Sequence, residues 1–178
     1  MKKPIILSFI FLLMISSVFI SCNDDIKDMP DNTIVGKWQY SHLIECSADA
    51  KYEETAEAIN KDLKSRWGAV EAGAFTYDFT SDRKFLYNNE FKGMYTFTGS
   101  GLVITNWENN KYVDEGSLQF SIDGEQMVIL HNLASEYRDE NNQYANIELL
   151  KSLGVTTSLD ITQPIYGAWI KLSFNKVK

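Results

Sequence analysis

The run Phe75-Thr-Tyr-Asp-Phe-Thr-Ser-Asp-Arg-Lys-Phe-Leu-Tyr-Asn-Asn-Glu-Phe-Lys-Gly-Met-Tyr-Thr-Phe-Thr98 decides the fold class. Its large apolar residues recur at every second position: Phe75, Tyr77 and Phe79, then Phe85 and Tyr87, then Tyr95 and Phe97. A period of two belongs to a strand with one buried face, because successive side chains on a pleated backbone point to opposite sides. Between these runs stand Ser81-Asp82 and Asn88-Asn89, residue types that favour tight turns. Connections this short join antiparallel neighbours. The segment therefore predicts strands over Ala74–Thr80, Lys84–Tyr87 and Phe91–Thr98 in a meander.

The pattern continues in both directions. Upstream, Ile34–Ile44 alternates and puts Trp38, Tyr40 and His42 on one face. Downstream come Leu102–Trp107, Val113–Ile122, Gln126–His131 and Tyr166–Phe174, the last with Ala168, Ile170, Leu172 and Phe174 in phase. Gly99-Ser-Gly101, Asn109-Asn110 and Asp123-Gly124 mark the turns. Sequential strands escape the exposed-edge problem by closing on themselves. The expected fold is mainly β: an eight-stranded antiparallel up-and-down barrel, with a ninth short strand conceivable around Thr156–Ile161.

Helical spacing interrupts the barrel at two places. Over Ala48–Trp67, residues Tyr52, Ala56, Ile59, Leu63 and Trp67 form one apolar stripe, with Ser47 placed as N-cap and Gly68 as a stop. Within residues 132–164, Tyr144, Ile147, Leu150 and Leu153 predict a shorter helix ending at Gly154, before the last strand. In an eight-strand meander the connections 1–2, 3–4, 5–6 and 7–8 share one end. Both helices fall in that class, so they should sit together over one mouth like a lid.

Length and composition bound the class of protein. At 178 residues, with 23% charged and 44% hydrophobic residues, the chain suits one globular domain. A net charge of −7 with no cluster of Lys and Arg excludes nucleic acid as a partner. Paired carboxylates at Glu53-Glu54, Asp114-Glu115 and Asp139-Glu140 are sequence neighbours, so they point apart and read as solvated faces rather than an acid–base pair. The chain shows no Gly-x-Ser-x-Gly, P-loop or dinucleotide fingerprint, and His42 and His131 lack metal-ligand spacing. Cys46 is expected to be a small buried hydrophobe. A non-enzymatic protein without metal or cofactor is the expectation.

The first 22 residues set an address. Lys2-Lys3 precede an apolar run from Ile5 to Ile20, too short to span a bilayer, which ends in Ser21-Cys22. This resembles a bacterial lipoprotein leader, with Phe19 standing where Leu is usual. The resemblance implies that residues 1–21 are removed and that Cys22 becomes the lipidated first residue, the membrane being the partner through this anchor. Residues 23–32, Asn-Asp-Asp-Ile-Lys-Asp-Met-Pro-Asp-Asn, then form a flexible tether. Asn23-Asp24-Asp25 resembles the export signal of Bacteroidetes lipoproteins, which implies an outer-membrane, surface-exposed position. A conventional secreted protein cut near Ser17 is the alternative.

Gly36-Lys37-Trp38 in the first strand, with the eight-strand pattern and the leader, resembles the lipocalin-like lipoproteins of Bacteroidetes. The resemblance covers residues 33–178 as an architecture. It implies that Trp38 packs across the closed end of the barrel and that Gly36 lets the chain pass close by. Two features depart from lipocalins: no Thr-Asp-Tyr motif occurs late in the barrel, and the last strand offers Lys171 where an Arg would cover the Trp.

Such barrels hold a small apolar or amphipathic molecule in the cup, which needs apolar walls and a few orienting polar groups. His42, Tyr87 and His131 near the mouth, with Tyr77 deeper, are the candidate ligand-binding residues. Two alternatives stay open. The barrel can be filled by its own bulky side chains, since eight strands leave little room. Trp67, Trp107 and Trp169, out of phase or at the end of a stripe, can instead serve a surface module for glycan or protein partners.

Overall fold

The computed structural model describes residues 34–98, 101–108 and 111–178, without the side chains of residues 98, 108 and 111–117. The leader, Cys22, the tether and the turn residues 99, 100, 109 and 110 lie outside the described residues. The strands are β1 (Gly36–Ala50), β2 (Thr76–Phe79), β3 (Lys84–Tyr87), β4 (Glu90–Thr98), β5 (Gly101–Glu108), β6 (Lys111–Asp123), β7 (Gln126–Asn132) and β8 (Ile165–Lys176). They form a closed antiparallel barrel in sequence order, with β8 hydrogen-bonded back to β1. Helix α1 (Glu53–Gly68) lies between β1 and β2, and a single 3-10 turn (Ala134–Tyr137) and helix α2 (Ile147–Ser152) precede β8. The eight-stranded up-and-down barrel with its two helices is the predicted architecture. Residues 156–161 form no strand.

Strand β1 runs six residues further than the sequence predicts, to Ala50, because β8 supplies partners down to Ile165 opposite Ala50. Ser47 is consequently a strand residue, and α1 starts at Glu53 with Tyr52 at the N-cap position and no side-chain cap. Glu53 and Glu54 in its first turn offset the helix dipole instead. Thr55, Ile59 and Leu63 are its buried residues, a stripe displaced by one position from Ala56. The two helices contact each other at one end of the barrel, as the connection parity requires.

The opposite end is plugged. Trp38 is fully buried and donates from Nε1 to the Ile34 carbonyl at 2.7 Å. The cation over its ring is Lys176, with Nζ 5.2 Å from the centroid, rather than Lys171. Lys176 continues the inward row of Ala168, Ile170, Leu172 and Phe174, whereas Lys171 is out of phase with it. Gly36 makes this possible: its φ of 130° suits glycine, and a Cβ there would stand 3.0 Å from the Lys176 stem. Among the described residues the core is drawn from Ile34–Phe174, and closure pairs each strand of the barrel on both sides. Among the described residues no helix is long and apolar enough to cross a membrane.

Candidate functional site

A cavity of about 420 Å³ opens at the helix-bearing end of the barrel. It is lined by Tyr77, Phe85, Tyr87, Lys92, Ile104, Asn106, Trp107, Leu118 and His131. These residues come from β2 through β7, and none comes from a helix. The helices therefore cover the β1 and β8 side of the mouth, where α1 packs, and leave the cavity beside them. The interior is partly filled and partly hollow. Tyr40, Phe75, Phe79 and Phe174 fill the space toward Trp38, with Tyr40 stacked on Phe75 at 4.8 Å and Tyr77 on Phe174 at 4.9 Å.

Three of the predicted ligand residues share this cavity. Tyr77 is buried, at 8% exposure, and Tyr87 stands at the rim at 38%. Their register pairing across β2 and β3 puts both on the inner face. His131 reaches the same face from β7, in phase with Met127 and Ile129. Its Nε2 lies 3.2 Å from Tyr77 Oη. The imidazole is half-buried, and removal from water lowers its pKa from 6.5 to about 4, so it is neutral at physiological pH. Burial, reinforced by Tyr87, pushes the Tyr77 phenol well above its ordinary value. Among the described residues the buried end of the cavity is polar but uncharged.

His42 does not join them. Pairing between β1 and β8 passes from Tyr40–Phe174 to His42–Ser173, so Ser41 is an extra residue. Such a bulge reverses the alternation. Tyr40 faces inward, His42 is exposed, and Leu43 takes the inward place, while His42 Nδ1 lies 3.1 Å from its neighbour Ser41 Oγ. The expectation that His42 lies near the mouth on the inner face is thus corrected. A local run of alternating residues carries no mark of such a bulge.

Lys92, Asn106 and Trp107 line the rim; Lys92 and Asn106 were not singled out from the sequence, and Trp107 was read there as a surface aromatic. Lys92 is the extra residue of a second bulge, between Phe85–Gly93 and Leu86–Phe91, and its ammonium pairs with Glu90 at 3.0 Å. Asn106 is readable in retrospect, since it continues the inward row of Leu102 and Ile104. Trp107 sits at a register irregularity of β5 and β6, with its ring 6.2 Å from that of Phe91. The three tryptophans read as surface candidates have different surroundings. Trp67 meets Phe75 edge to face, Trp107 borders the cavity, and Trp169 lies over Gly167, where a Cβ would overlap its ring.

Of the paired carboxylates, Glu54 is more than a solvated group. It accepts from Thr156 N at 2.9 Å, Ser158 N at 3.1 Å and Ser158 Oγ at 2.8 Å, as well as from the Thr157 hydroxyl. These bonds hold its pKa down at about 2 and tie α1 to the segment after α2. Lys51 and Asp160, 2.7 Å apart, form a second tie. Arg66, Asp62 and Tyr137 form a third, with Tyr137 Oη donating to Asp62 at 2.7 Å. Cys46 is half-buried, its Sγ 3.8 Å from the Asn60 carbonyl of α1, and burial raises its thiol pKa. Among the described residues no cluster of His, Cys, Asp and Glu is arranged to hold a metal ion.

No protein-family model, curated protein or solved structure matches this chain.

Proposed function

We propose that this chain is a lipocalin-like lipoprotein, anchored in the outer membrane through lipid on Cys22 and displayed at the cell surface, which binds a small apolar or amphipathic molecule in its barrel. The cavity carries the binding part of this reading. Its volume of about 420 Å³ falls in the range that accommodates a drug-sized molecule. Its walls are mainly aromatic and aliphatic, with few polar groups: the composition that burying an apolar ligand requires. The anchor rests on the sequence alone: a short apolar leader ending in Ser21-Cys22, followed by an acidic tether. Diacyl modification supplies enough buried CH₂ groups for stable attachment, at about 0.8 kcal/mol each.

Native mass spectrometry of residues 23–178, secreted from the protein's own host, tests the binding. A reproducible extra mass, lost on unfolding and extractable into organic solvent, is expected. A bare polypeptide mass after exposure to host lipids and growth medium overturns the carrier reading. Metabolic labelling of the full chain with an alkyne fatty acid tests the anchor. Label that disappears in Cys22→Ser is expected, and label that persists there, or is absent from the unaltered chain, overturns it.

A further inference from the structure

The polar groups of the cavity narrow the chemistry of what it holds, given the carrier reading above. Tyr77 Oη and His131 Nε2 are bonded to each other at 3.2 Å, and among the described residues neither side chain has another hydrogen-bond partner. A neutral imidazole has one N–H donor and one acceptor nitrogen. If the phenol donates to Nε2, His131 Nδ1–H is an unspent donor and the phenol oxygen an unspent acceptor. If Nε2–H donates instead, the phenol hydrogen and Nδ1 are left over. Either tautomer leaves a donor and an acceptor for a third group.

Among the described residues no charge accompanies this pair. Among the described lining residues the one ionised side chain is Lys92, which stands at the rim, 44% exposed and already paired with Glu90. An ionised head group entering first would lose its hydration and gain no counter-charge, which is costly. A wholly hydrocarbon end would strip water from the pair's spare donor and acceptor and replace it with nothing. Around the pair the surfaces are flat rings, Phe85, Tyr87 and Trp107, with Ile104 and Leu118 as aliphatic walls. We infer that the barrel selects uncharged, ring-containing hydrophobes carrying a hydroxyl or carbonyl group, bound with that group inward against Tyr77 and His131.

Displacement of N-phenyl-1-naphthylamine fluorescence from residues 23–178 tests this at pH 7, using fluorene, 2-hydroxyfluorene and fluorene-2-carboxylate as competitors. These share one ring system and differ only in the polar group. The expected order is 2-hydroxyfluorene tightest, by roughly 3- to 10-fold over fluorene, as one net hydrogen bond implies, with the carboxylate weakest. Tyr77→Phe combined with His131→Leu should bring 2-hydroxyfluorene down to the affinity of fluorene, whereas either single variant leaves one donor–acceptor group and keeps part of the preference. Tyr77→Phe combined with His131→Phe keeps a ring at both places, so it decides the matter even where the leucine variant does not fold. Equal affinity for all three competitors, tighter binding of the carboxylate, or a preference that survives loss of both polar groups overturns the inference while the carrier reading stands. A barrel that binds neither the dye nor any fluorene overturns both.

Discussion

His131 is the residue at which burial and ionisation conflict most directly. Its pKa falls from 6.5 to about 4 because the folded barrel removes it from water. The unfolded chain therefore takes up a proton between these values that the folded chain refuses. Stability is complete above pH 6.5 and declines as pH falls toward 4, by on the order of 3 kcal/mol in full. Glu54 acts at lower pH: its pKa is depressed from 4.5 to about 2, so its contribution is retained above 4.5 and lost below. Urea midpoints measured from pH 6.5 to 4.5 should thus fall in the unaltered chain and stay flatter in His131→Leu. Equal slopes would show that the imidazole is solvated. Trp38 is a simpler case, fully buried at the closed end under Lys176. Trp38→Ala should destabilise by about 3–5 kcal/mol, the usual cost of emptying a buried aromatic site. A urea midpoint shifted by less than a third of that would mean that the plug is not part of the cooperative core.

The elements depend on close backbone approach and on ties between helices. Gly93 of β4 sits beside the extra residue Lys92, and a Cβ there would overlap the Thr105 carbonyl oxygen of β5. Gly93→Ala must push these two strands apart, so a loss of about 2 kcal/mol or more is expected in urea unfolding. An unchanged midpoint would mean that the bulge can re-form around a side chain. The segment after α2 has little regular structure, and Glu54 of α1 accepts from its residues 156–158. Glu54→Gln exchanges a carboxylate for an amide with half the acceptor capacity. Amide hydrogen exchange at Thr156, Thr157 and Ser158 should quicken while β1 and β8 stay protected. Uniform quickening would instead make the helical cover and the barrel one unit.

At the scale of the whole molecule, closure requires β1 at residues 36–50 to meet β8 at residues 165–176. Such distant pairing costs loop entropy before any contact offsets it. Refolding followed by tryptophan fluorescence should accordingly take milliseconds to seconds, whereas a microsecond phase accounting for the full amplitude would point to local contacts as the main determinant. The same closure explains what was legible beforehand. Period-two apolar rows, turn residues and two helical stripes are local properties, and together they determined the strand order, the barrel and the placing of both helices at one end. Tyr77, Tyr87 and His131 were legible as cavity residues because their strands keep an unbroken inward row into the mouth. His42, Lys92 and the cation over Trp38 were not, since each depends on how two distant strands align. One extra residue reverses every later side chain, and a bulge is fixed by the partner strand rather than by its own residues. The sequence by itself thus determined the barrel. Only the tertiary structure decided which side chains surround the cavity, because register is a relation between strands and no single strand encodes it.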